Sequence, residues 1–319
     1  MKILIIGGAG FLGANLVRRC LREPGNSVTV LDSLEAQLRG STENLHEVWD
    51  RIRFVRGSMG DEPLIAEMVQ EQDVIFNCAA QTSHPLSLQD PLFDAEINCL
   101  GNIKLLEAVR LMNRKAVVIY TSSSTVIGKA VGDVIDETHG EKPLDIYSAN
   151  KGVAEKYYLI YNRVHDLRTI VLRFANLYGP YGKAYPEFGF VNYFISLAWN
   201  DQEIGIFGSG EQTRDVMYVE DAVDVLYQAA GEPRLIGDIF FAAHDEQHTV
   251  AEIAREIIRV FGRGRLTTIE WPEERKRIEV ESVRISSERL RRITGWRARY
   301  SLEEGLRKTR EILERMKAS

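Results

Sequence analysis

The chain begins with an apolar run at residues 3–6 that leads directly into a glycine-rich turn. The run predicts a buried strand, and residues 11–20 predict the first turns of a helix. A turn in this position lets backbone N–H groups approach a pyrophosphate and directs the positive helix N-terminus at it. The turn fits two overlapping dinucleotide fingerprints, formed by Gly7 or Gly8 together with Gly10 and Gly13. A dinucleotide site is therefore predicted; the alternative is a turn that only packs the helix against the strand.

Asp32 supports the dinucleotide prediction. It closes the next apolar run, residues 28–31, about twenty residues after the turn, where a carboxylate accepts hydrogen bonds from ribose hydroxyls. A carboxylate there repels a 2′-phosphate, so NAD(H) is predicted in preference to NADP(H). Arg39 is close enough in sequence to leave NADP(H) open.

Short β-branched runs alternate with longer segments that have the three-to-four spacing of helices. Strands are predicted at residues 2–6, 28–32, 52–55, 73–77, 116–121, 169–174 and 237–241. Helices are predicted at residues 12–22, 62–70, 92–112, 147–165, 219–230, 249–261 and 301–316. This alternation predicts an α/β fold with a Rossmann-type, doubly wound parallel sheet.

The pattern changes near residue 176, where a turn-rich stretch is followed by shorter and more mixed segments. Residues 1–175 are predicted to form the NAD-binding Rossmann domain, with sheet strands also from about 219–243. Residues 176–319 are predicted to form mainly a smaller C-terminal α/β lobe that binds substrate and is interleaved with the sheet. Small ligands usually bind in clefts between such lobes.

Composition narrows the class of protein. The net charge of −6 argues against a nucleic-acid partner. No apolar stretch approaches the roughly 20 residues that a membrane span needs, and the first strand begins too early for a signal peptide. Cys20, Cys78 and Cys99 lie in apolar segments and indicate buried thiols rather than disulfides or a metal site. A cytoplasmic protein without bound metal is therefore expected.

Tyr147 and Lys151 are the first candidate catalytic pair. Both lie in a predicted helix, one turn apart, so their side chains share a face. A lysine ammonium beside a phenol stabilises the phenolate and lowers its pKa, which allows a tyrosine to act as general base and then acid. The alternative is an incidental Tyr/Lys pair on a helix.

Five consecutive hydroxyl residues, 121–125, follow the apolar run at residues 116–120. Ligands bind at the carboxyl ends of strands in open α/β sheets, so a serine here could contact the substrate oxygen that Tyr147 titrates. The alternative is an ordinary strand-to-loop cap. The G-x-S-x-G elbow of a serine hydrolase is absent from the sequence.

Several ordered motifs resemble one family over nearly the whole chain: the extended short-chain dehydrogenase/reductases, specifically the NAD-dependent nucleotide-sugar epimerases and dehydratases. The resemblance rests on the glycine turn and on Tyr147-x-x-x-Lys151. It also rests on residues 77–81, 97–102, 121–128, 172–180 and 207–221.

The resemblance implies a role for individual residues. Tyr147 matches the catalytic base, Lys151 its partner and Ser123 the hydroxyl beside the substrate. The implied cofactor contacts are Gly7, Gly10, Phe11, Leu12, Gly13, Asp32, Ser33, Ser58, Met59, Ala79, Ala80, Gln81, Asn98, Ser122, Tyr147 and Lys151. The implied substrate contacts are Thr82, His84, Ser123, Asn176, Val191, Gln212, Arg214 and Arg277.

Three of the implied substrate residues have simpler explanations. The alternative for His84 is a solvated histidine in a loop. The alternative for Arg214 is a surface ion pair with Asp215 or Glu211. The alternative for Arg277 is a solvent-exposed arginine in a basic stretch.

The sequence also departs from the family pattern. Ser124 and Thr125 stand where 4,6-dehydratases place an Asp-Glu pair, and hydroxyls cannot supply that acid/base chemistry. Ser58 and Met59 follow Gly57, where an acid near the adenine is common. The pattern is closest to the epimerases that act on UDP-glucose or UDP-glucuronate.

The expected reaction is therefore 4-epimerisation of a UDP-hexose or UDP-hexuronic acid through a transient 4-keto intermediate, with NAD as cofactor. The alternatives are a 2-epimerase of CDP-linked dideoxysugars, a nucleotide-sugar dehydratase or reductase, and a non-catalytic NAD sensor. A homodimer is expected, because helices near 92–112 and 147–165 commonly pair across a two-fold axis in this family.

Overall fold

The computed structural model describes residues 1–129, 132, 134–244, 246–272, 282 and 284–318. Among these, seven parallel strands form one sheet in the order β3-β2-β1-β4-β5-β7-β11. The strands are β1 (Lys2–Ile6), β2 (Ser27–Asp32), β3 (Ile52–Arg56), β4 (Val74–Asn77), β5 (Val117–Ser123), β7 (Arg168–Phe174) and β11 (Ile239–Ala242). The predicted Rossmann-type α/β sheet is confirmed.

Helices connect the strands and cover both faces of the sheet. Those in the first half of the chain are α1 (Phe11–Leu21), α2 (Glu62–Met68), α3 (His84–Gln89), α4 (Pro91–Ala95), α5 (Gly101–Met112) and α6 (Ile146–His165). The later ones are α7 (Phe190–Trp199), α8 (Val219–Ala230), α9 (Val250–Phe261), α10 (Glu288–Thr294) and α11 (Leu302–Ala318). No helix among the described residues is long and apolar enough to cross a membrane.

The apolar run of β1 shows why the sheet is covered on both sides. Successive side chains of a strand point to opposite faces. Ile3 and Ile5 join one buried cluster, together with side chains of α1 and α8. Leu4 and Ile6 join the other, with side chains of α2, α5 and α6. A parallel sheet buried on both faces needs continuous apolar runs, which is the pattern that the sequence shows.

The topology places a ligand site at one edge of the sheet. Strand order reverses between β1 and β4, so the connections that follow these two strands leave on opposite faces. In open α/β sheets this reversal opens a crevice at the carboxyl ends of the strands. The glycine turn follows β1 and residues 78–83 follow β4, so both lie at this crevice.

The strands of the smaller sheets lie beyond β7, in the part of the chain with the mixed sequence pattern, except for the first of them, which precedes β7. These strands are β6 (Val134–Ile135), β8 (Asn176–Tyr178), β9 (Glu203–Phe207), β10 (Thr213–Tyr218), β12 (Gln247–Thr249), β13 (Arg265–Ile269) and β14 (Arg284–Ile285). Strand β10 pairs with β8 and β12, β9 with β13, and β6 with β14. Between β10 and β12 the chain returns to the main sheet, where β11 pairs with β7.

Two predicted elements differ from the structure. The segment predicted as one helix at 92–112 contains α4, a π-helical stretch Glu96–Leu100 and α5. The loop predicted around His84 is wrong, since His84 opens α3. The Ser83 hydroxyl accepts a hydrogen bond from the Leu86 N–H and so caps this short helix.

Candidate functional site

A cavity of about 740 Å³ lies at the carboxyl ends of the main-sheet strands. Its wall combines the glycine turn, the end of β5, the start of α6 and residues of the smaller lobe. The predicted site residues that line it are Gly7, Gly10, Phe11, Leu12, Gly13, Asp32, Ser33, Ser58, Met59, Ala79, Ala80, Thr82, His84, Ser122, Ser123, Tyr147, Lys151, Asn176, Val191 and Arg214. Positions that are far apart in sequence therefore meet around one space.

Four predicted site residues are not among the lining residues. Gln81 is fully buried, and its Nε2 donates to Asp94 Oδ2 at 2.7 Å. Asn98 is also buried, and its Nδ2 donates to the Gln81 carbonyl at 2.9 Å. Gln212 is half-buried, and its carbonyl accepts from the Val250 N–H. Arg277 lies outside the described residues.

The glycine turn brings the backbone of β1 and α1 into close contact. A Cβ on Gly13 would lie 2.2 Å from the Gly7 carbonyl oxygen, and a Cβ on Gly7 would lie 2.6 Å from the Ala79 nitrogen. Gly10 caps α1 and has no side chain to accept from the first N–H groups of the helix. These groups face the cavity end of α1, where an anionic pyrophosphate satisfies them.

Asp32 lies at the end of β2, in the cavity wall. Its Oδ2 accepts from the Ala9 N–H and its Oδ1 from the Leu34 N–H, each at 2.9 Å. Burial raises the pKa of this carboxyl, and the two backbone hydrogen bonds lower it. The bonds hold the carboxylate in one orientation, and each oxygen keeps a lone pair for a ribose hydroxyl.

The end of β5 presents hydroxyls to the cavity. Ser123 Oγ lies 2.9 Å from Thr125 Oγ1 and accepts from the Thr125 N–H at 3.2 Å. It therefore makes the strand-to-loop cap and lines the cavity as well. Ser122 Oγ is buried and has no hydrogen-bond partner among the described residues. A buried hydroxyl of this kind calls for a ligand group, so the residues present fit a bound dinucleotide.

Tyr147 lies in the first turn of α6 and is 8% exposed. Burial raises the pKa of its phenol well above the usual value, and a hydrogen bond with Ser123 lowers it. The carboxylates of Asp145 and Asp94 raise the pKa further. The overall shift is upward, so the lowering of the Tyr147 pKa that the sequence predicts from Lys151 is not found in this structure.

Lys151 is buried one turn after Tyr147. Its Nζ donates to the Thr121 carbonyl at 2.7 Å and lies 4.2 Å from the centroid of the Tyr120 ring. Burial lowers the pKa of Lys151 to about 8, while the carboxylates of Glu155 and Asp94 raise it. The ammonium is thus held against β5 in the cavity wall.

His84 and Asp145 form a pair beside Tyr147 that the sequence analysis did not anticipate. His84 Nδ1 lies 2.5 Å from Asp145 Oδ2. The His84 and Tyr147 rings meet edge to face, with centroids 4.9 Å apart and an interplanar angle of 79°. Asp145 has a local signal, because Asp is a favoured residue immediately before a helix. Its partner His84 has none, because 61 residues separate the two.

Lys183 is a second cavity residue that sequence analysis missed. It lies between β8 and α7, with its Nζ 4.2 Å from the centroid of the Phe188 ring. Burial lowers the pKa of Lys183 to about 8, and the charge of Asp32 raises it. A lysine therefore lies near Asp32. The two residues are 151 positions apart in the chain, so no local sequence pattern indicates this proximity.

Asn176 and Arg214 lie on neighbouring strands of the smaller lobe, β8 and β10. Asn176 Nδ2 donates to the Asp215 carbonyl at 3.0 Å, and Arg214 Nη1 donates to the Thr213 carbonyl at 2.7 Å. Both line the cavity. A guanidinium there can hold a phosphate in two hydrogen bonds.

Comparison with known proteins gives a consistent result. Residues 3–241 match the NAD dependent epimerase/dehydratase family. The chain is 32% identical to UDP-glucose 4-epimerase of Mycolicibacterium smegmatis, over 98% of both chains. It is also 32% identical to CDP-paratose 2-epimerase of Salmonella typhi, over 75% of this chain and 78% of the relative.

A solved structure agrees in fold. UDP-glucose 4-epimerase of Thermotoga maritima, determined with UDP-glucose, superimposes with a TM-score of 0.88 at 28% identity and covers 99% of each chain. The chain therefore belongs to the NAD dependent epimerase/dehydratase family and is an NAD-dependent enzyme.

Proposed function

We propose that this enzyme epimerises C4 of a UDP-hexose or UDP-hexuronic acid through a transient 4-keto intermediate. The observation that carries the proposal is the convergence of Ser123, Tyr147 and Lys151 on the cavity that the glycine turn borders. The UDP-glucose 4-epimerase relative supports the reaction. Reversible oxidation of a sugar hydroxyl needs one proton acceptor and one hydride acceptor, and no further acid/base pair.

In this proposal each side chain has one role. Tyr147 Oη takes the proton of the C4 hydroxyl and later returns it. Ser123 Oγ hydrogen-bonds the same substrate oxygen and orients it toward the phenol. NAD held at the glycine turn and Asp32 would supply, in its oxidised form, the reversible hydride acceptor for C4 and a positive charge in the cavity. Lys151 adds a second positive charge, which favours the phenolate against the effect of burial.

The residues after Ser123 argue against dehydration. Elimination of water needs an acid and a base beside the catalytic hydroxyl. Ser124 and Thr125 occupy these positions and line the cavity. Thr125 Oγ1 is within hydrogen-bond distance of Ser123 Oγ. Neutral hydroxyls in this arrangement can orient a substrate but cannot exchange protons with it near neutral pH.

A 2-epimerase of a CDP-linked dideoxysugar is the second candidate, favoured by the CDP-paratose 2-epimerase relative. It would use the same tyrosine and the same cofactor at C2 instead of C4. The two candidates differ in the nucleotide and in the sugar carbon that faces Tyr147, so the product distinguishes them.

The test is an assay of the purified enzyme with UDP-glucose, UDP-galactose, UDP-glucuronate and CDP-paratose. Products are identified by proton NMR, and NADH absorbance is followed in parallel. We expect a C4 epimer of one UDP-sugar without net change in NADH. Loss of water, or consumption of NADH in equal amount to product, would replace epimerase by dehydratase or reductase. Bound NAD without turnover on any sugar would favour the sensor.

We also propose that the enzyme is a homodimer that pairs through α4, α5 and α6. These helices pack against one another and leave apolar side chains uncovered. Leu92 of α4 is 81% exposed and Leu111 of α5 is 62% exposed. Val164 and Ile160 of α6 are 63% and 52% exposed. Uncovered apolar side chains on adjoining helices are typical of a surface that a second copy buries.

Ile160→Glu is expected to convert the dimer to a monomer, because it places a charge in this apolar face. Size-exclusion chromatography with light scattering measures the change in mass. Ile269→Glu is the matched control, since Ile269 is 41% exposed on β13, away from these helices. A wild-type chain that elutes as a monomer, or an Ile160→Glu variant that stays dimeric, contradicts the proposed interface.

A further inference from the structure

Residues 180–188 connect β8 of the smaller lobe to α7, and we call this connection the strap. Between these two elements it contacts α1 and the segments that follow β2. Four of its residues also line the cavity: Lys183, Pro186, Glu187 and Phe188. The strap is therefore a piece of the cavity wall that is fastened to elements outside its own lobe.

Tyr181 fastens the strap to α1. Its ring lies against the Arg18 guanidinium, whose Cζ is 4.0 Å from the ring centroid. Its Oη donates to Glu47 Oε2 at 3.1 Å, and Arg18 Nη2 donates to the same oxygen at 3.1 Å. The three side chains thus contact one another in a closed set. A guanidinium keeps its charge at every pH at which a protein is folded, so this contact is permanent.

Two more contacts hold the strap on either side of Lys183. Asn15 Nδ2 of α1 donates to the Pro180 carbonyl at 3.0 Å. Arg39, in the loop after β2, has its Cζ 4.5 Å from the centroid of the Tyr185 ring. Between these contacts Lys183 lines the same cavity as Asp32, the last residue of β2. The strap therefore crosses the cavity at its Asp32 end and is attached before and after the crossing.

The backbone of Tyr181 shows that its side chain matters here. Its φ of 65° lies in the left-handed region, which a bulky side chain disfavours and glycine adopts freely. The turn itself would thus be served better by glycine. The contacts with Arg18 and Glu47 offset the unfavourable backbone conformation, so the position is occupied for what the tyrosine side chain binds.

We propose that Tyr181 is a positioning residue that keeps the strap closed over the Asp32 end of the cavity, and that the strap must undock before NAD enters or leaves. Tyr181, Arg18 and Glu47 are not among the cavity-lining residues. Their contacts therefore hold the strap equally with and without the dinucleotide. A contact that is equal in two states does not shift the equilibrium between them, so Tyr181 sets the rate of exchange and not the affinity. The inference needs the NAD site alone and not the identity of the sugar.

Tyr181→Gly tests the proposal, because glycine keeps the left-handed backbone and removes both side-chain contacts. The holoenzyme is loaded with radiolabelled NAD, and release of label into excess unlabelled NAD gives the dissociation rate constant. The fraction of NAD that stays bound on serial dilution gives Kd. We expect the dissociation rate constant to rise about tenfold, which is the loss of about 1.4 kcal/mol of closure. Kd should stay within about twofold of wild type, so the association rate constant rises as well.

Glu47→Ala removes the same contact from the other side and leaves the sequence of the strap unchanged. The Glu47 side chain is 58% exposed, so its loss does not disturb a packed core. We expect the dissociation rate constant to rise and Kd to stay unchanged. Tyr227→Ala is the matched control, since its ring packs on Arg19 of the same helix, with Cζ 4.1 Å from the centroid. Tyr227 lies outside the strap and is not among the cavity-lining residues, so neither constant should change.

Three results overturn the proposal. The first is an unchanged dissociation rate constant in Tyr181→Gly and Glu47→Ala. The second is a rise in the dissociation rate constant with an equal rise in Kd, because the strap is then only a wall of the binding site. The third is an equal acceleration in Tyr227→Ala, which would assign the effect to α1. Exchange is measured without a sugar, so failure of the epimerase reaction leaves this test intact.

Discussion

Tyr147→Phe is expected to lower kcat by about 10²–10⁴-fold, the usual contribution of a positioned general acid/base. The phenol is the proposed proton acceptor for the substrate hydroxyl, and phenylalanine retains the ring that packs on His84. NAD content and the midpoint of thermal unfolding should therefore stay close to wild type. Turnover of the UDP-sugar identified in the product assay, measured with NAD content of the same preparation, checks this result.

Tyr158→Phe is the matched control, because it removes a buried hydroxyl from the same helix. Tyr158 Oη donates to Asn102 Oδ1 at 3.0 Å and accepts from Asn77 Nδ2 at 3.1 Å, and Tyr158 is not among the cavity-lining residues. This variant should lose about 1 kcal/mol of stability and keep its kcat. Near-native turnover of Tyr147→Phe would exclude the proposed mechanism.

Gly13→Ala is expected to abolish NAD retention and to destabilise the fold by about 1–3 kcal/mol, the usual cost of an added methyl in a packed site. The new Cβ would lie 2.2 Å from the Gly7 carbonyl oxygen and 2.6 Å from Gly8 Cα. Both are backbone atoms, so α1 must move away from the turn. The N–H groups at the start of α1 then no longer converge on a pyrophosphate. NAD content after purification and thermal unfolding measure the two effects.

Gly140→Ala is the control for the loss of a glycine as such. A Cβ on Gly140 meets nothing within 4 Å, and the residue is exposed. This variant should keep its NAD and its unfolding midpoint. If Gly13→Ala also keeps both, the turn does not hold the cofactor in the way that the backbone contacts indicate.

The main sheet could be predicted from local sequence because its strands are buried on both faces. Each is a continuous apolar run, and the helices between them have an apolar stripe, so composition and spacing carry the information. The strands of the smaller lobe are different. Strand β8 has three residues and is defined by its pairing with β10, 40 positions later. Such a short segment has no pattern of its own, so the partner strand decides its structure.

Some features of the site could likewise be predicted from local sequence, and others could not. The glycine turn, Asp32 and the Tyr147-Lys151 spacing are local patterns whose geometry follows from one turn or one helix. The contacts of His84 with Asp145 and of Lys183 with the Asp32 end of the cavity join segments 61 or more residues apart. For Gln81 a local motif predicts a cofactor contact, whereas in the structure its side-chain amide donates a hydrogen bond to Asp94.

The sequence by itself determined the doubly wound sheet, the position of the dinucleotide turn and the helix that pairs Tyr147 with Lys151. All three follow from the periodicity of side chains along a strand or helix and from the backbone freedom of glycine. Only the tertiary structure decided the direction in which the pKa of Tyr147 is shifted, because burial and the charges of Asp94 and Asp145 act through space. It also decided which ring packs edge to face on the phenol: His84, brought there by the packing of α3 against α6.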